Sequence, residues 1–416
     1  MEFSRKEDLD ALIGKKGNHL VKVITGLRKV GKSYLLSTLF KNHLLSTGVS
    51  KDHIIEADLS LVENEGLRDK NALRDFILAR VKDDRPYYLL LDEIQLADGF
   101  SSLLLSLNKK PSLDLYVTGS NSRMLSRDIQ TDFRGTADPI RLFPIRFKEF
   151  LPLSGVSPEG ALSHYLDYGG MPLQFSKNSD LEREKYLRGL FDTVYLADIE
   201  DRHEIRNKPA FELLSDVLSS DIGSLTNPAK IEATLKSSHY KLTNDTIATY
   251  ISYLTDAFLF EECKRFDVKG KNHISSPLKY YCGDVGLRNA RLHFNEQEYQ
   301  NIIENVVYLD LRSRGYEVDV GVVPSRETDP ESKKQIDKNY EIDFLVNKGN
   351  EKVYIQVAMD MDDKEKYVQE SKPFSLVADS FRKVFVLFRY RQTPRFDENG
   401  YFTMSLLDFL MDDRLI

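Results

Sequence analysis

Eight residues near the start of the chain, Gly26-Leu27-Arg28-Lys29-Val30-Gly31-Lys32-Ser33, match G-x-x-x-x-G-K-[ST]. Glycines at the two ends let the backbone turn so that consecutive N–H groups point inward. At the N-terminus of a helix such a loop favours an anion. In that setting Lys32 reaches the β- and γ-phosphates of a nucleotide, the Ser33 hydroxyl ligates Mg²⁺, and the run from Gly26 to Tyr34 lines the phosphates. The same spacing also describes a plain glycine turn before a helix, so the surrounding elements have to decide.

A second set of chemical groups follows about 60 residues later. Tyr87-Tyr88-Leu89-Leu90-Leu91 is a continuous apolar run that ends in Asp92-Glu93. An acid at the carboxyl end of a strand beside the phosphate loop holds Mg²⁺ through water, the role expected of Asp92. Glu93 then orients and polarises a water for attack on the γ-phosphate. A third strand, Leu113 to Thr118, runs into Gly119-Ser120-Asn121-Ser122, where either Ser120 or Asn121 can touch the γ-phosphate or the water.

These groups need an α/β frame. Leu20 to Ile24 reads as a short buried strand, and Tyr34 to Phe40 carries apolar side chains at helical spacing. His53 to Leu59 reads as another strand and Leu67 to Val81 as a helix. The apolar run at 87–91 fits a parallel strand covered on both faces. Residues 1–19 form a lead-in helix with Leu9, Leu12 and Ile13 on one side.

The whole chain has 416 residues, 41% of them apolar and 30% charged, which predicts two or three globular domains. The net charge of −7 offers no global attraction to nucleic acid or to an anionic membrane. No run reaches the length of a membrane helix. The two cysteines, Cys263 and Cys282, lack metal-ligand spacing and read as small buried side chains in a reducing cytoplasm.

The order GLRKVGKS, YYLLLDEIQ, YVTGSNSRML, RGT and LFPIRFKEFL resembles the prokaryotic predicted ATPases of the AAA+ superfamily, with YLDYGGMP at 165–172, VYLADIEDRHEIRN at 194–207 and IENVVYLDLRSRGYEV at 303–318 agreeing further on. The resemblance implies a P-loop fold of the ASCE type, with helices on both faces of a parallel sheet. It implies ATP and Mg²⁺ as ligands and Ser120 or Asn121 at the sensor-1 position. Arg134 falls where an arginine finger would stand, and a helix-end contact is its alternative. A helical lid follows the core in such proteins, and an uncharacterised carboxy-terminal module after it.

The expected division is an ATPase core at 1–152, a helical lid at 153–208, a winged-helix-like domain at 209–296 and a nuclease-like α/β domain at 297–416. In the third of these, Phe211 to Ile222, Ala229 to Leu235 and a helix from Thr243 or Asn244 precede a hairpin between Phe258 and Ser275. Over residues 209–292 ten lysines and arginines balance ten acids, and only the hairpin is basic. That favours an interaction module over a DNA binder.

The last third alternates helix and strand, with a polar loop expected from Pro324 to Lys338. Its order resembles the PD-(D/E)xK nuclease core, with Glu304 and Asp343 in acid positions. Gln356 and Ala358 stand where an acid and a lysine are needed, so no nuclease activity is expected. The chain as a whole reads as a Mg²⁺-dependent ATPase that drives or gates movement of carboxy-terminal interaction modules. The other readings are a slow nucleotide-gated switch that recruits a protein or DNA partner, and an ATP-gated nuclease. An oligomer is compatible with all three.

Overall fold

A computed structural model describes residues 3–119, 133, 135–295, 298–328 and 334–414. Two compact units emerge, Met1–Ile145 with Asp256–Phe258 and Arg146–Thr255 with Leu259–Ile416.

In the first unit five strands form one sheet: β1 (Val21–Thr25), β2 (Ile54–Asp58), β3 (Tyr87–Asp92), β4 (Leu113–Thr118) and β5 (Ala137–Arg141). All pair in parallel, in the order β2-β3-β4-β1-β5. Every residue of β1, β3 and β4 is buried, as a sheet covered by helices requires. The helices Lys6–Gly14, Lys70–Leu78 and Phe100–Asn108 flank it, with a continuous helical run over 32–46. Asp69 caps the second of these by accepting the N–H groups of Asn71 and Ala72.

Lys22 breaks the apolar pattern of β1 and is fully buried. Its ammonium is paired with Asp114 of β4, which also accepts the Tyr116 hydroxyl at 2.8 Å and the Gly17 N–H at 3.0 Å. The Lys22 ammonium lies 5.0 Å from the centre of the Tyr116 ring. The pair therefore pins together the two central strands, whose carboxyl ends carry the phosphate loop and Thr118.

In the second unit nine strands make one mixed sheet: β6 (Leu225–Thr226), β7 (Phe260–Asp267), β8 (Asn272–Cys282), β9 (Glu317–Thr328), β10 (Gln335–Lys348), β11 (Glu351–Ala358), β12 (Arg382–Leu387), β13 (Arg395–Phe396) and β14 (Phe402–Ser405). Their order is β13-β14-β12-β11-β10-β9-β7-β8-β6. The three helices expected before the hairpin are Lys208–Ser220, Pro228–Ser237 and Asn244–Asp256.

Three features depart from the sequence reading. The hairpin read as a wing, β7 and β8, is longer than expected, and β7 pairs in parallel with β9, so the sheet crosses the expected boundary at 296. Most of the expected loop at 324–338 is strand: β9 and β10 form a ribbon held by pairs such as Arg326–Asp337 at 2.9 Å and by the Tyr340 hydroxyl on Glu327 at 2.8 Å. Much of that ribbon is exposed, so it shows none of the apolar alternation by which strands are read. The helix Phe147–Ser154, expected to close the ATPase core, groups with the second unit. Buried Arg146, just before it, pairs with Asp310 at 3.1 Å and Asp413 at 2.6 Å.

The YLDYGGMP stretch is also explained within this unit. Asp284 accepts the N–H of Gly170 at 2.7 Å, and Asn289 donates to the carbonyls of Leu166 and Asp167, both at 2.9 Å. Gly169 has φ +68°, and a Cβ there would stand 2.2 Å from the Asp284 carboxylate, so only glycine fits.

Asp114→Ala leaves the Lys22 ammonium buried without its partner. It is expected to destabilise the protein by about 3–5 kcal/mol, read from denaturant unfolding; a loss below about 1 kcal/mol on the same scale would contradict the role given to this pair.

Candidate nucleotide-binding site

The site lies at the carboxyl ends of β1, β3 and β4, the edge where open α/β sheets bind ligands. Gly26 follows β1 with φ +138°, and a Cβ on it would meet the Leu142 carbonyl at 2.2 Å. The chain past β5 therefore packs directly against the start of the loop. Lys29 and Gly31 are left-handed at φ 60° and 104°, and the helix begins at Lys32. Within the loop Leu27 and Val30 are buried, Arg28 is half-buried, and Lys29 and Ser33 are exposed; Tyr34 is half-buried in the first helical turn.

Lys32 is buried, and its ammonium donates to the carbonyls of Gly26 at 3.1 Å and Leu27 at 2.9 Å. Burial holds its pKa down at about 8; the Glu93 and Asp92 carboxylates oppose that shift, and Arg28 and Lys29 add to it.

Asp92, the last residue of β3, is also buried. Burial lifts its carboxyl above its ordinary range, while hydrogen bonds from Ser33 and Thr118 pull it back. The Thr118 hydroxyl donates to Asp92 and accepts the Glu93 N–H at 2.9 Å. One buried side chain at the end of β4 thus sets the rotamer of the first acid and the backbone of the second. Glu93 is left-handed, φ 52° and ψ 48°, an uncommon conformation for a non-glycine residue. Its carboxylate accepts a hydrogen bond from Gln95. The donor set of Ser33 hydroxyl and Asp92 carboxylate, already in contact, suits a hard cation such as Mg²⁺.

The structure thus brings Lys32, Ser33, Asp92 and Glu93 together. Ser120, Asn121 and Arg134 lie outside the described residues. The sequence reading missed Thr118 and Gln95; Gln95 stands two residues from Glu93 and was within local reach, whereas Thr118 meets the acids only through strand order.

Glu304 and Asp343, expected from the sequence in the acid positions of a nuclease-like core, are already engaged. Glu304 accepts from Lys279 at 2.9 Å and from the Tyr281 hydroxyl at 2.6 Å. Lys279 also pairs with Glu341 at 2.8 Å, and Asp343 accepts the Val357 N–H at 2.8 Å. Burial, with the Glu304 carboxylate adding to it, pushes the Asp343 carboxyl well above its ordinary range. Gln356 bridges Asp343 and Glu370 through its amide, and Ala358 is buried. Among the described residues no three His, Cys, Asp or Glu side chains are grouped to hold a metal. Among them also no helix is long and apolar enough to cross a membrane.

The depressed pKa of Lys32 gives a signed expectation. Anionic phosphates favour the charged ammonium, so binding is linked to proton uptake once the free protein has lost that proton. The dissociation constant for a nucleoside triphosphate should be flat below pH 8 and rise above it, by up to about tenfold per unit. Titrations between pH 7 and 9.5 that give a flat constant would contradict the burial of this amine.

Comparison with known proteins agrees with the geometry. A family model described as an AAA domain matches residues 18–151, and one described as a domain of unknown function (DUF8612) matches residues 159–298. An uncharacterised protein of Haemophilus influenzae is 30% identical over 415 residues, 98% of each chain. One of Methanocaldococcus jannaschii is 28% identical over 358 residues, 83% of this chain and 76% of its own. A Walker-type ATPase of Pyrococcus abyssi superposes with a TM-score of 0.50 at 16% identity, covering 70% of this chain and 96% of its own, a likeness of fold. With the parallel sheet, the phosphate loop and a near full-length relative in hand, the chain belongs to the AAA+ P-loop ATPases in which the AAA domain is followed by a domain of unknown function.

Proposed function

We propose that the protein binds and hydrolyses ATP with Mg²⁺, and that this cycle drives or gates movement of its carboxy-terminal interaction modules. The observation that carries the reading is the convergence of Lys32, Ser33, Asp92 and Glu93 on one sheet edge, tied by Thr118. Lys32 neutralises charge on the β- and γ-phosphates. Ser33 and, through water, Asp92 would hold Mg²⁺, which supplies further charge neutralisation when bound. Glu93 accepts a proton from the attacking water and aims it in line with the leaving oxygen. Such catalysis is mostly positioning and electrostatics. Ser120 or Asn121 is proposed as the sensor beside the γ-phosphate and Arg134 as the finger, in cis or from a neighbouring subunit.

A second reading, a slow nucleotide-gated switch that recruits a protein or DNA partner, is favoured by one contact. Gln95 holds the Glu93 carboxylate, and an engaged carboxylate has to be released before it can accept a proton from water. Partner capture in ATP against ADP separates the two readings, as does a basal turnover too slow to cycle.

Glu93→Gln should leave ATP binding within about twofold and lower phosphate release by about 100-fold or more, whereas Lys32→Ala should weaken binding itself. Turnover retained in both purified variants would sink the assignment. Gln95→Ala should raise basal turnover if its contact restrains Glu93; a lower rate would show that the contact instead helps to aim it, and an unchanged one that it does neither.

A further inference from the structure

Arg5 lies outside the phosphate loop, in the segment leading into the helix Lys6–Gly14, yet its side chain is only 3% exposed. Its guanidinium spans two backbone acceptors. Nη2 donates to the Val30 carbonyl at 2.7 Å, and Nη1 donates to the Phe143 carbonyl at 2.8 Å, with Asp8 at 3.5 Å. One acceptor belongs to the phosphate loop. The other follows β5, one residue past the Leu142 carbonyl that packs on Gly26.

In a trans peptide the carbonyl and the next N–H point to opposite sides of the chain. A hold on the Val30 carbonyl therefore turns the Gly31 N–H away from Arg5, as a cradle that presents backbone N–H groups to an anion requires. Gly31 does not fix that peptide by itself, because glycine at φ 104° moves freely among backbone conformations. The Arg5 Nη2 stands 4.0 Å from where a Gly31 Cβ would be, with no other atom outside the adjoining residues as near. The other carbonyls at the start of the loop, those of Gly26 and Leu27, are held by Lys32.

We propose that Arg5 is a positioning residue for the nucleotide site: it orients the Val30–Gly31 peptide and so sets the phosphate affinity of the loop. The inference rests on the nucleotide-binding reading above. Lysine is a poor replacement, because it lacks the planar fork that meets two separated carbonyls at once.

The test compares full-length wild type, Arg5→Lys and Arg5→Ala by ATP titration and thermal melting. Both variants should stay folded and bind ATP about ten- to a hundredfold more weakly, the loss expected for one hydrogen bond to a charged group. Millimolar guanidinium ion should restore a large part of the Arg5→Ala loss and do nothing for Lys32→Ala. ATP affinity within twofold of wild type in both variants would overturn the proposal. So would a loss that guanidinium does not restore, or unfolding of both variants, since either makes Arg5 a structural staple. Failure of the wild type to bind ATP is a different result, which removes the nucleotide reading itself.

Discussion

A cradle of backbone N–H groups can hold phosphate only if the carbonyls of the same peptides are turned the other way and satisfied there. That constraint organises the first unit. The Val30 carbonyl is held in this way by the Arg5 guanidinium, whereas those of Gly26 and Leu27 face the Lys32 ammonium, the group that is to meet the phosphates. Gly26 has no Cβ because the Leu142 carbonyl occupies the space. The loop is therefore shaped from outside by the lead-in segment and by the chain past β5, and its own glycines supply only the freedom to be shaped.

The strand order supplies the second half of the site. Because β4 lies between β1 and β3, its last residue, Thr118, sits beside the acids that end β3. A single hydroxyl then serves as donor to Asp92 and acceptor from Glu93, and it holds Glu93 in a left-handed conformation that costs about 1–3 kcal/mol. Strain of that kind persists only where neighbours over-determine it. Here they are Thr118 on the backbone and Gln95 on the carboxylate.

Charge pairs with buried members organise the second unit. Arg146 and Arg314 meet Asp310 and Asp413, and Lys279 meets Glu304 and Glu341. Losing one partner leaves a charge stranded in a poorly polarisable interior, so such clusters are sensitive to single substitutions. They also explain why the sequence divides differently from the structure. The acids and bases that join one stretch to another are far apart in the chain, and β7 reaches β9 across more than 50 residues.

What the sequence determined by itself was local: the loop motif with its flanking strand and helix, the apolar strands ending in acids, and the resemblance these carry. The physical reason is that glycine conformations, buried parallel strands and helix starts are set by neighbours within a few residues. Only the tertiary structure decided which distant groups complete the site. Thr118 reaches Asp92 and Glu93 through strand order, and Arg5 reaches Val30 across 25 residues. The same is true of the β9–β10 ribbon, whose strands are made by pairing with each other and leave no apolar alternation to read. Hydrogen bonds and ion pairs between remote segments depend on how the chain returns on itself, and no spacing along the chain records that.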